Sequence, residues 1–137
     1  PPALTKDDVA WRIRVNSGMT SFVDEFATPQ QHDVQNTVGD FLVRTKGGLP
    51  SYQLAVVADD HDMDITEVVR GDDLLKCTAR QLLVYRALGW EAPAFHHCPL
   101  VTDEDGERLA KRHDSLSLKA MREAGLTPEM IRAKFIA

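Results

Sequence analysis

The sequence predicts an α/β fold in which parallel strands alternate with helices. Two continuous apolar runs, residues 54–58 and 65–69, are typical of strands that are covered on both faces. A helical pattern over residues 79–88 follows the second run, and a further strand is predicted over residues 94–101. A strand, a helix of about three turns and a second strand make a βαβ unit, which implies a parallel sheet with a right-handed crossover.

The N-terminal part has the pattern of a small β-rich region. Residues 10–15 alternate apolar with basic side chains, as a half-buried strand does, and a second strand is predicted over residues 21–26. Residues 41–44 and 52–54 flank Lys46-Gly47-Gly48, which indicates a hairpin with a short glycine loop.

The border between the two patterns falls near residues 49–52. We therefore predict two domains, a β-rich region over residues 1–50 and an α/β region over residues 51–137.

Capping residues predict where the helices begin and end. Thr78 is a suitable N-cap for the central helix, and Gly89 can end it. Ser115 or Ser117 caps a later helix that stops at Gly125, and Thr127 followed by proline begins the last one.

Composition limits the class of protein. Hydrophobic residues make up 43% and charged residues 27% of the chain, near the globular average, which argues against bulk disorder and membrane spanning. A formal charge of −5 argues against a surface that attracts nucleic acid everywhere. Cys77 and Cys98 lack the spacing of a zinc or redox pair, and the chain has no signal peptide, so we expect a reducing, cytoplasmic setting.

Two segments suggest metal ligands, but neither fits a metal. In the acidic segment of residues 59–64, a calcium loop would need glycine at Ile65 and glutamate at Gly71. His96 and His97 are adjacent on a predicted strand and point to opposite faces, so they do not converge on zinc. We expect no metal site among these residues.

Arg70 and the segment 108–112 are the candidate binding groups. Arg70 follows the apolar run 65–69, at the carboxyl end of a strand, where open α/β sheets bind ligands. Its guanidinium could hold a carboxylate with two parallel hydrogen bonds or pair with a nearby aspartate. The basic loop follows Asp105-Gly106 and could meet a polyphosphate or remain a solvated loop.

Joined in this order, these segments resemble the glutamate-activating class I aminoacyl-tRNA synthetases. The likeness is carried by residues 51–60, 65–75, 78–90 and 108–113. The last segment is similar to the Lys-Met-Ser-Lys-Ser signature of the class, with Arg108 and Ala110 replacing its first lysine and its serine.

The resemblance implies roles for individual residues. Tyr52 would line the glutamate pocket, and Arg70 would hold a carboxylate of glutamate. Leu100 and Val101 would cover the adenine of ATP. The resemblance makes Lys111 the catalytic cation and Arg108 its auxiliary, within a signature loop that consists of Arg108, Leu109, Ala110, Lys111 and Arg112.

The resemblance also implies an architecture and a reaction. The chain would be the insertion region and the second half of a Rossmann-like catalytic domain, because the His-Ile-Gly-His signature of the first half has no counterpart in it. The activity would be ATP-dependent activation of glutamate, with Mg²⁺, and its transfer to tRNA. No zinc and no membrane are implied for this part, and the fragment alone would be inactive.

Three functions remain open from sequence. Arg70-Gly71-Asp72-Asp73 and the signature loop resemble the paralogues that attach glutamate to the queuosine base of tRNA(Asp). A glutamyl-tRNA synthetase that charges tRNA(Glu) is the alternative. A non-catalytic module that binds RNA or an acidic ligand through the basic loop is the third.

Overall fold

A computed structural model describes residues 9–102 and 117–135. The chain divides into two compact units, one up to Cys98 and one from Pro99 onward, and each is described by itself. The strands are β1 (Trp11–Ile13), β2 (Thr20–Asp24), β3 (Thr28–His32), β4 (Phe41–Arg44), β5 (Glu67–Gly71) and β6 (Ala94–Cys98). The helices are α1 (Val34–Thr37), α2 (Tyr52–Asp62), α3 (Leu75–Leu88), α4 (Leu118–Glu123) and α5 (Pro128–Phe135).

The main sheet of the first unit has four strands in the order β3-β2-β6-β5. Strands β5 and β6 are parallel and in register from Glu67 opposite Ala94 to Gly71 opposite Cys98. Strand β2 is parallel to β6, and β3 lies antiparallel to β2 at the edge. The predicted βαβ unit is therefore confirmed, with α3 as its helix.

The ends of α3 differ in how well the sequence predicted them. A 3-10 turn, Asp72–Leu74, leads directly into the helix, so Thr78 lies inside it and not at its cap. Gly89 ends the helix as predicted, with φ of 72°, a left-handed conformation that glycine adopts without steric cost.

The prediction of a buried strand over residues 54–58 is wrong, because these residues lie in α2. Ser51 caps this helix, and its hydroxyl accepts a hydrogen bond from the backbone N–H of Leu54 at 3.4 Å. Gln53 and Val57 face inward at a spacing of one helical turn. The predicted hairpin arm over residues 52–54 is wrong for the same reason. After the glycine loop, the chain pairs with β4 only through an isolated bridge between Pro50 and Arg44.

Strand β5 is covered on one face only within the first unit. Residues 68 and 70 are half-buried under α3, whereas Val69 on the opposite face is 65% exposed. The first unit therefore covers one face of this strand, and the cover on both faces predicted for residues 65–69 stays a prediction.

The first fifty residues contain the predicted strands and one more. Strand β1 pairs antiparallel with β4 in a separate two-stranded sheet. Strand β2 ends at Asp24, short of the predicted Phe26, and turns into the unpredicted β3. Since β2 and β3 extend the sheet of the βαβ unit, residues on both sides of the predicted border at residues 49–52 contribute to the first unit, and that border stays a prediction.

The core of this unit lies between the sheet, α2 and α3. It is made by Val15, Val34, Phe41, Val57, Ala79, Leu82, Val84, Tyr85 and Phe95. This packing fixes α3 against the face of the sheet on which the candidate site lies.

The second unit contains α4 and α5 as predicted. Ser117 caps α4 through the backbone N–H of Ala120, and Gly125, with φ of 84°, follows its end. Thr127 accepts a hydrogen bond from the N–H of Met130 at the start of α5. In residues 9–102 and 117–135, no helix is long and apolar enough to cross a membrane.

Candidate active site

Three polar side chains meet where parallel strands end. Asp24 is the last residue of β2, Arg70 is the penultimate residue of β5, and His97 is the penultimate residue of β6. Arg70 and His97 are register partners, and Asp24 pairs with Phe95. The carboxyl edge of a parallel sheet is where α/β proteins bind their ligands, so this cluster lies where the sequence predicted a site.

Asp24 is buried, and both of its carboxylate oxygens accept hydrogen bonds. Oδ1 accepts from the backbone N–H groups of Phe26 at 3.1 Å, Ala27 at 2.7 Å and His97 at 3.2 Å. Oδ2 accepts from Nδ1 of His97. Burial by itself raises the pKa of Asp24, but these hydrogen bonds outweigh it and lower the pKa to about 2.

His97 connects Asp24 to Arg70. Its side chain is buried, and its Nε2 lies 3.0 Å from Nε of Arg70 and 3.0 Å from Oγ1 of Thr78. Arginine donates and does not accept hydrogen bonds, so Nε2 is the acceptor and the ring proton lies on Nδ1, facing Asp24. Thr78 donates instead to the carbonyl oxygen of Leu74 at 3.3 Å.

The Arg70 guanidinium is held by α3 as well as by His97. Its Nη2 donates to Oγ1 of Thr78 at 2.6 Å and to Oε1 of Gln81 at 2.8 Å. The guanidinium carbon lies 5.3 Å from the centre of the Phe95 ring, within range of a cation–π contact.

This arrangement changes how Arg70 could hold a ligand. Nε and Nη2 supply three of the five N–H groups of a guanidinium to protein acceptors. In the part of the chain that the structure describes, Nη1 makes no such bond. The two N–H groups of Nη1 therefore remain for a carboxylate, and the two-nitrogen contact expected from sequence is not available in this conformation.

Tyr52 lies within electrostatic range of Arg70. Burial lowers the pKa of Arg70, and the ionisable side chains of Tyr52, Cys77, Asp60 and Tyr85 act in the opposite direction. Tyr52 stands at the first turn of α2 and is 57% exposed. An exposed phenol beside a half-buried cation offers a ligand one hydroxyl and one charged donor.

Asp60 and Tyr85 form a second polar group between α2 and α3. Burial raises the pKa of Asp60, and the charge of Arg70 acts against that increase. Burial and the neighbouring Asp60 raise the pKa of Tyr85 to about 12. The Tyr85 hydroxyl is buried without a hydrogen bond of normal geometry among the described residues.

A cavity of about 480 Å³ lies at the opposite edge of the sheet. Thr66 and Pro93, which precede β5 and β6, line it together with Glu91, Asp60 and Tyr85. Asp60 and Tyr85 are within electrostatic range of Arg70, but Asp24, Arg70 and His97 do not line this cavity, and we assign it no role in the reaction.

The two histidines of β6 face opposite sides of the sheet, as alternation along a strand requires. His96 packs against the ring of Phe26 and lies 3.8 Å from a carboxylate oxygen of Glu67. Across residues 9–102 and 117–135, no group of three or more histidine, cysteine or acidic side chains is arranged to hold a metal ion.

The other predicted site residues belong to the second unit. Leu100 is half-buried and Val101 is 48% exposed. Lys111, Arg108 and the rest of the signature loop lie outside the described residues, so the structure brings together only Tyr52 and Arg70 from the predicted set.

Sequence reasoning missed Asp24 and Gln81 as site residues, assigned Thr78 to a cap, and considered His97 as a metal ligand, which it rejected. Asp24 did carry a signal, since it is a charged residue within an apolar strand pattern. Gln81 carried none, because a polar residue in a helix is ordinary until its neighbour is known.

Comparison with known proteins identifies the class of protein. The family described as the catalytic domain of class I tRNA synthetases for glutamate and glutamine (E and Q) matches residues 4–136. The fold agrees with this match, since a parallel sheet with helices carries the polar cluster at its carboxyl edge. The chain therefore belongs to the class I tRNA synthetase catalytic-domain family for glutamate and glutamine.

Its relatives include two kinds of enzyme. A glutamyl-Q tRNA(Asp) synthetase from Nitratidesulfovibrio vulgaris is 50% identical over 117 residues, which are 85% of this chain and 36% of that protein. A glutamate–tRNA ligase from Gluconacetobacter diazotrophicus is 53% identical over 92 residues, 67% of this chain and 20% of that protein.

A comparison with solved structures finds the same kind of enzyme. A glutamate tRNA ligase from Elizabethkingia meningosepticum, solved in complex with its amino acid, has a TM-score of 0.69 and 32% identity. The match covers 78% of this chain and 22% of that one. The chain thus spans about a third or less of these relatives.

Proposed function

We propose that the protein activates glutamate with ATP and transfers it to the queuosine base of tRNA(Asp). The observation that carries the proposal is the state of Arg70, a half-buried cation at the carboxyl end of a parallel strand. Its Nη1 is left without a protein acceptor among the described residues, while the rest of its guanidinium is bonded. Such a group is suited to a carboxylate, and glutamate carries two.

Each predicted residue has a part in this reaction. Arg70 and Tyr52 bind glutamate, and Leu100 and Val101 lie against the adenine of ATP. Lys111, with Arg108 as a second cation, stabilises the charge that develops when the glutamate carboxylate attacks the α-phosphate. Mg²⁺ would accompany ATP and would neutralise phosphate charge, and the setting we propose is the cytoplasm.

The choice of acceptor is supported by the relatives. The matches to glutamyl-Q tRNA(Asp) synthetases cover 85% and 90% of this chain at 50% and 44% identity. Charging of tRNA(Glu) is the second candidate. It is favoured by the 53% identity to one glutamate–tRNA ligase over 92 residues and by the 44% identity to another over 132 residues, which are 93% of this chain.

The test uses the full-length protein, meaning the complete product of the gene that encodes this chain. Radiolabelled glutamate and ATP are incubated with tRNA(Asp) that contains queuosine, tRNA(Asp) that lacks it, and tRNA(Glu). Label on queuosine-containing tRNA(Asp) alone supports the proposal, and label on tRNA(Glu) alone supports the second candidate. Absence of both label and glutamate-dependent pyrophosphate exchange refutes both.

A further inference from the structure

We infer that Asp24 and His97 are positioning residues, which hold the Arg70 guanidinium in its ligand-binding orientation by fixing one tautomer of the His97 ring. The inference rests on the proposed role of Arg70 in binding a glutamate carboxylate. It assigns a function to two residues of the sheet that do not themselves contact substrate in this reaction.

The first step is the direction of each hydrogen bond. The Nε–H of Arg70 points at Nε2 of His97 over 3.0 Å, so Nε2 must offer its lone pair. A neutral imidazole with Nε2 as acceptor carries its proton on Nδ1. That proton is directed at Oδ2 of Asp24, which as a carboxylate can only accept.

The second step is that Asp24 is fixed by backbone groups, independently of the His97 side chain. Its Oδ1 accepts from three backbone N–H groups, those of Phe26, Ala27 and His97. The carboxylate therefore cannot rotate without breaking these bonds, and Oδ2 is held against the imidazole. The tautomer of His97 is thus set by the backbone at the end of β2.

The third step concerns Arg70. With Nε bound to His97 and Nη2 bound to Thr78 and Gln81, the plane of the guanidinium is fixed by three acceptors. Only Nη1 remains for a ligand. If Nε2 of His97 carried a proton, two donors would face each other at the distance of a hydrogen bond, and the guanidinium would be displaced.

Asp24→Asn tests this chain of contacts directly. The amide oxygen of asparagine would take the place of Oδ1, because the three backbone donors require an acceptor there. Its amide N–H₂ would then face Nδ1 of His97, which would become the acceptor, and the ring proton would move to Nε2. Asp24→Asn thus removes one negative charge with almost no change of side-chain shape, and it reverses the tautomer of the His97 ring.

The expected result in the full-length protein is a split between kinetic constants. The apparent KM for glutamate rises roughly 10-fold or more, as expected for loss of a hydrogen-bonded charged contact, whereas the KM for ATP changes less than about 2-fold. Asp40→Asn is the matched control, because Asp40 also accepts a backbone hydrogen bond, from Val15 at 2.8 Å, away from His97. It should leave both constants unchanged.

Substitutions at His97 provide a second, independent test. His97→Gln keeps an acceptor oxygen within similar reach of Arg70, whereas His97→Leu removes it. We expect the glutamate KM of His97→Gln to lie nearer the native value than that of His97→Leu. Equal effects from the two variants, with both folded, would show that His97 serves packing and not orientation.

The outcome can be separated from failure of the proposed function. If Arg70→Lys leaves the glutamate KM unchanged, the proposed role of Arg70 fails. If Arg70→Lys raises that KM while Asp24→Asn does not, only the present inference fails. If Asp24 acts only through Arg70, the variant that carries both Arg70→Lys and Asp24→Asn has the same glutamate KM as Arg70→Lys alone.

The tautomer itself is measured in the unaltered protein. Nitrogen-15 NMR of the His97 ring should show a protonated Nδ1 and an unprotonated Nε2. A proton on Nε2 would overturn the inference even if every variant failed to fold.

Discussion

Replacement of Arg70 by lysine gives the sharpest test of the candidate site. The guanidinium donates hydrogen bonds to His97, Thr78 and Gln81 and keeps Nη1 for a ligand. A lysine ammonium has three N–H groups on one atom, so it cannot reach these acceptors and a carboxylate together. If it takes the position of Nη2, the acceptor on His97 loses its donor and the ligand loses Nη1.

The magnitude follows from these contacts. A hydrogen bond to a charged group contributes about 1.5–3 kcal/mol, which corresponds to roughly 10- to 150-fold in binding. We expect a change of that size in the apparent KM for glutamate. The loss of stability should be smaller, about 1 kcal/mol, since Oγ1 of Thr78 lies 3.0 Å from Nε2 of His97 and can donate in place of Arg70.

The assay is glutamate-dependent pyrophosphate exchange by the full-length protein, with glutamate and ATP varied in turn. Urea unfolding of the same variant separates a binding effect from a folding defect. An unchanged glutamate KM in a folded variant would refute the assignment of Arg70, and an equal rise in the KM for both substrates would show a general distortion of the site.

Four further predictions test other parts of the molecule. Lys111→Ala should lower the rate of pyrophosphate exchange more than it weakens ATP binding, because we propose that its cation stabilises the charge that develops in the transition state; equal losses would make it a ground-state phosphate clamp. The depressed pKa of Asp24, about 2 against 3.8, contributes about 2 kcal/mol of stability that is present above pH 4 and lost as the pH falls toward 2. Urea titrations between pH 5 and pH 2 should show this loss in the native protein and not in Asp24→Asn. Gly89→Ala should cost about 1 kcal/mol of unfolding free energy through the strain of a positive φ, with no effect on the glutamate KM. The 137-residue chain tested alone should not catalyse pyrophosphate exchange, because it contains no His-Ile-Gly-His signature, which the family resemblance makes the complement of Lys111 at the phosphate site; robust exchange would refute this assignment.

Local sequence patterns predicted the helices and strands whose ends are marked by capping or turn residues. The central βαβ unit and the end of α3 at Gly89 were readable because a helical repeat, two strand patterns and a glycine agree with one another. Residues 54–58 were not, since a short apolar run fits a buried strand and a buried helix equally well. The capping serine at position 51 was the signal that decides between them.

For the site too, the sequence predicted what depends on local pattern and missed what depends on contacts between distant residues. Arg70 was placed at the carboxyl end of its strand from sequence, because the strand pattern ends there. Its hydrogen bonds to His97 and Gln81, and the link onward to Asp24, join residues 11 to 73 positions apart. Such pairings depend on the register of the folded sheet, which no local pattern contains.

The short pairing between β2 and β6 affects the order in which parts of the sheet unfold and fold. Strand β2 meets β6 through the single registered pair Asp24 and Phe95, with one more backbone bond from Glu25 to Phe95 at 3.0 Å. Strands β5 and β6, by contrast, share five registered pairs and are connected directly through α3. We expect the β2–β3 hairpin to be the least protected cooperative unit of the sheet in native-state hydrogen exchange and the last to dock during folding, since its closure spans more than seventy residues. Binding of glutamate to Arg70 would then slow amide hydrogen exchange in the β2–β3 hairpin, although the amino acid does not contact the hairpin.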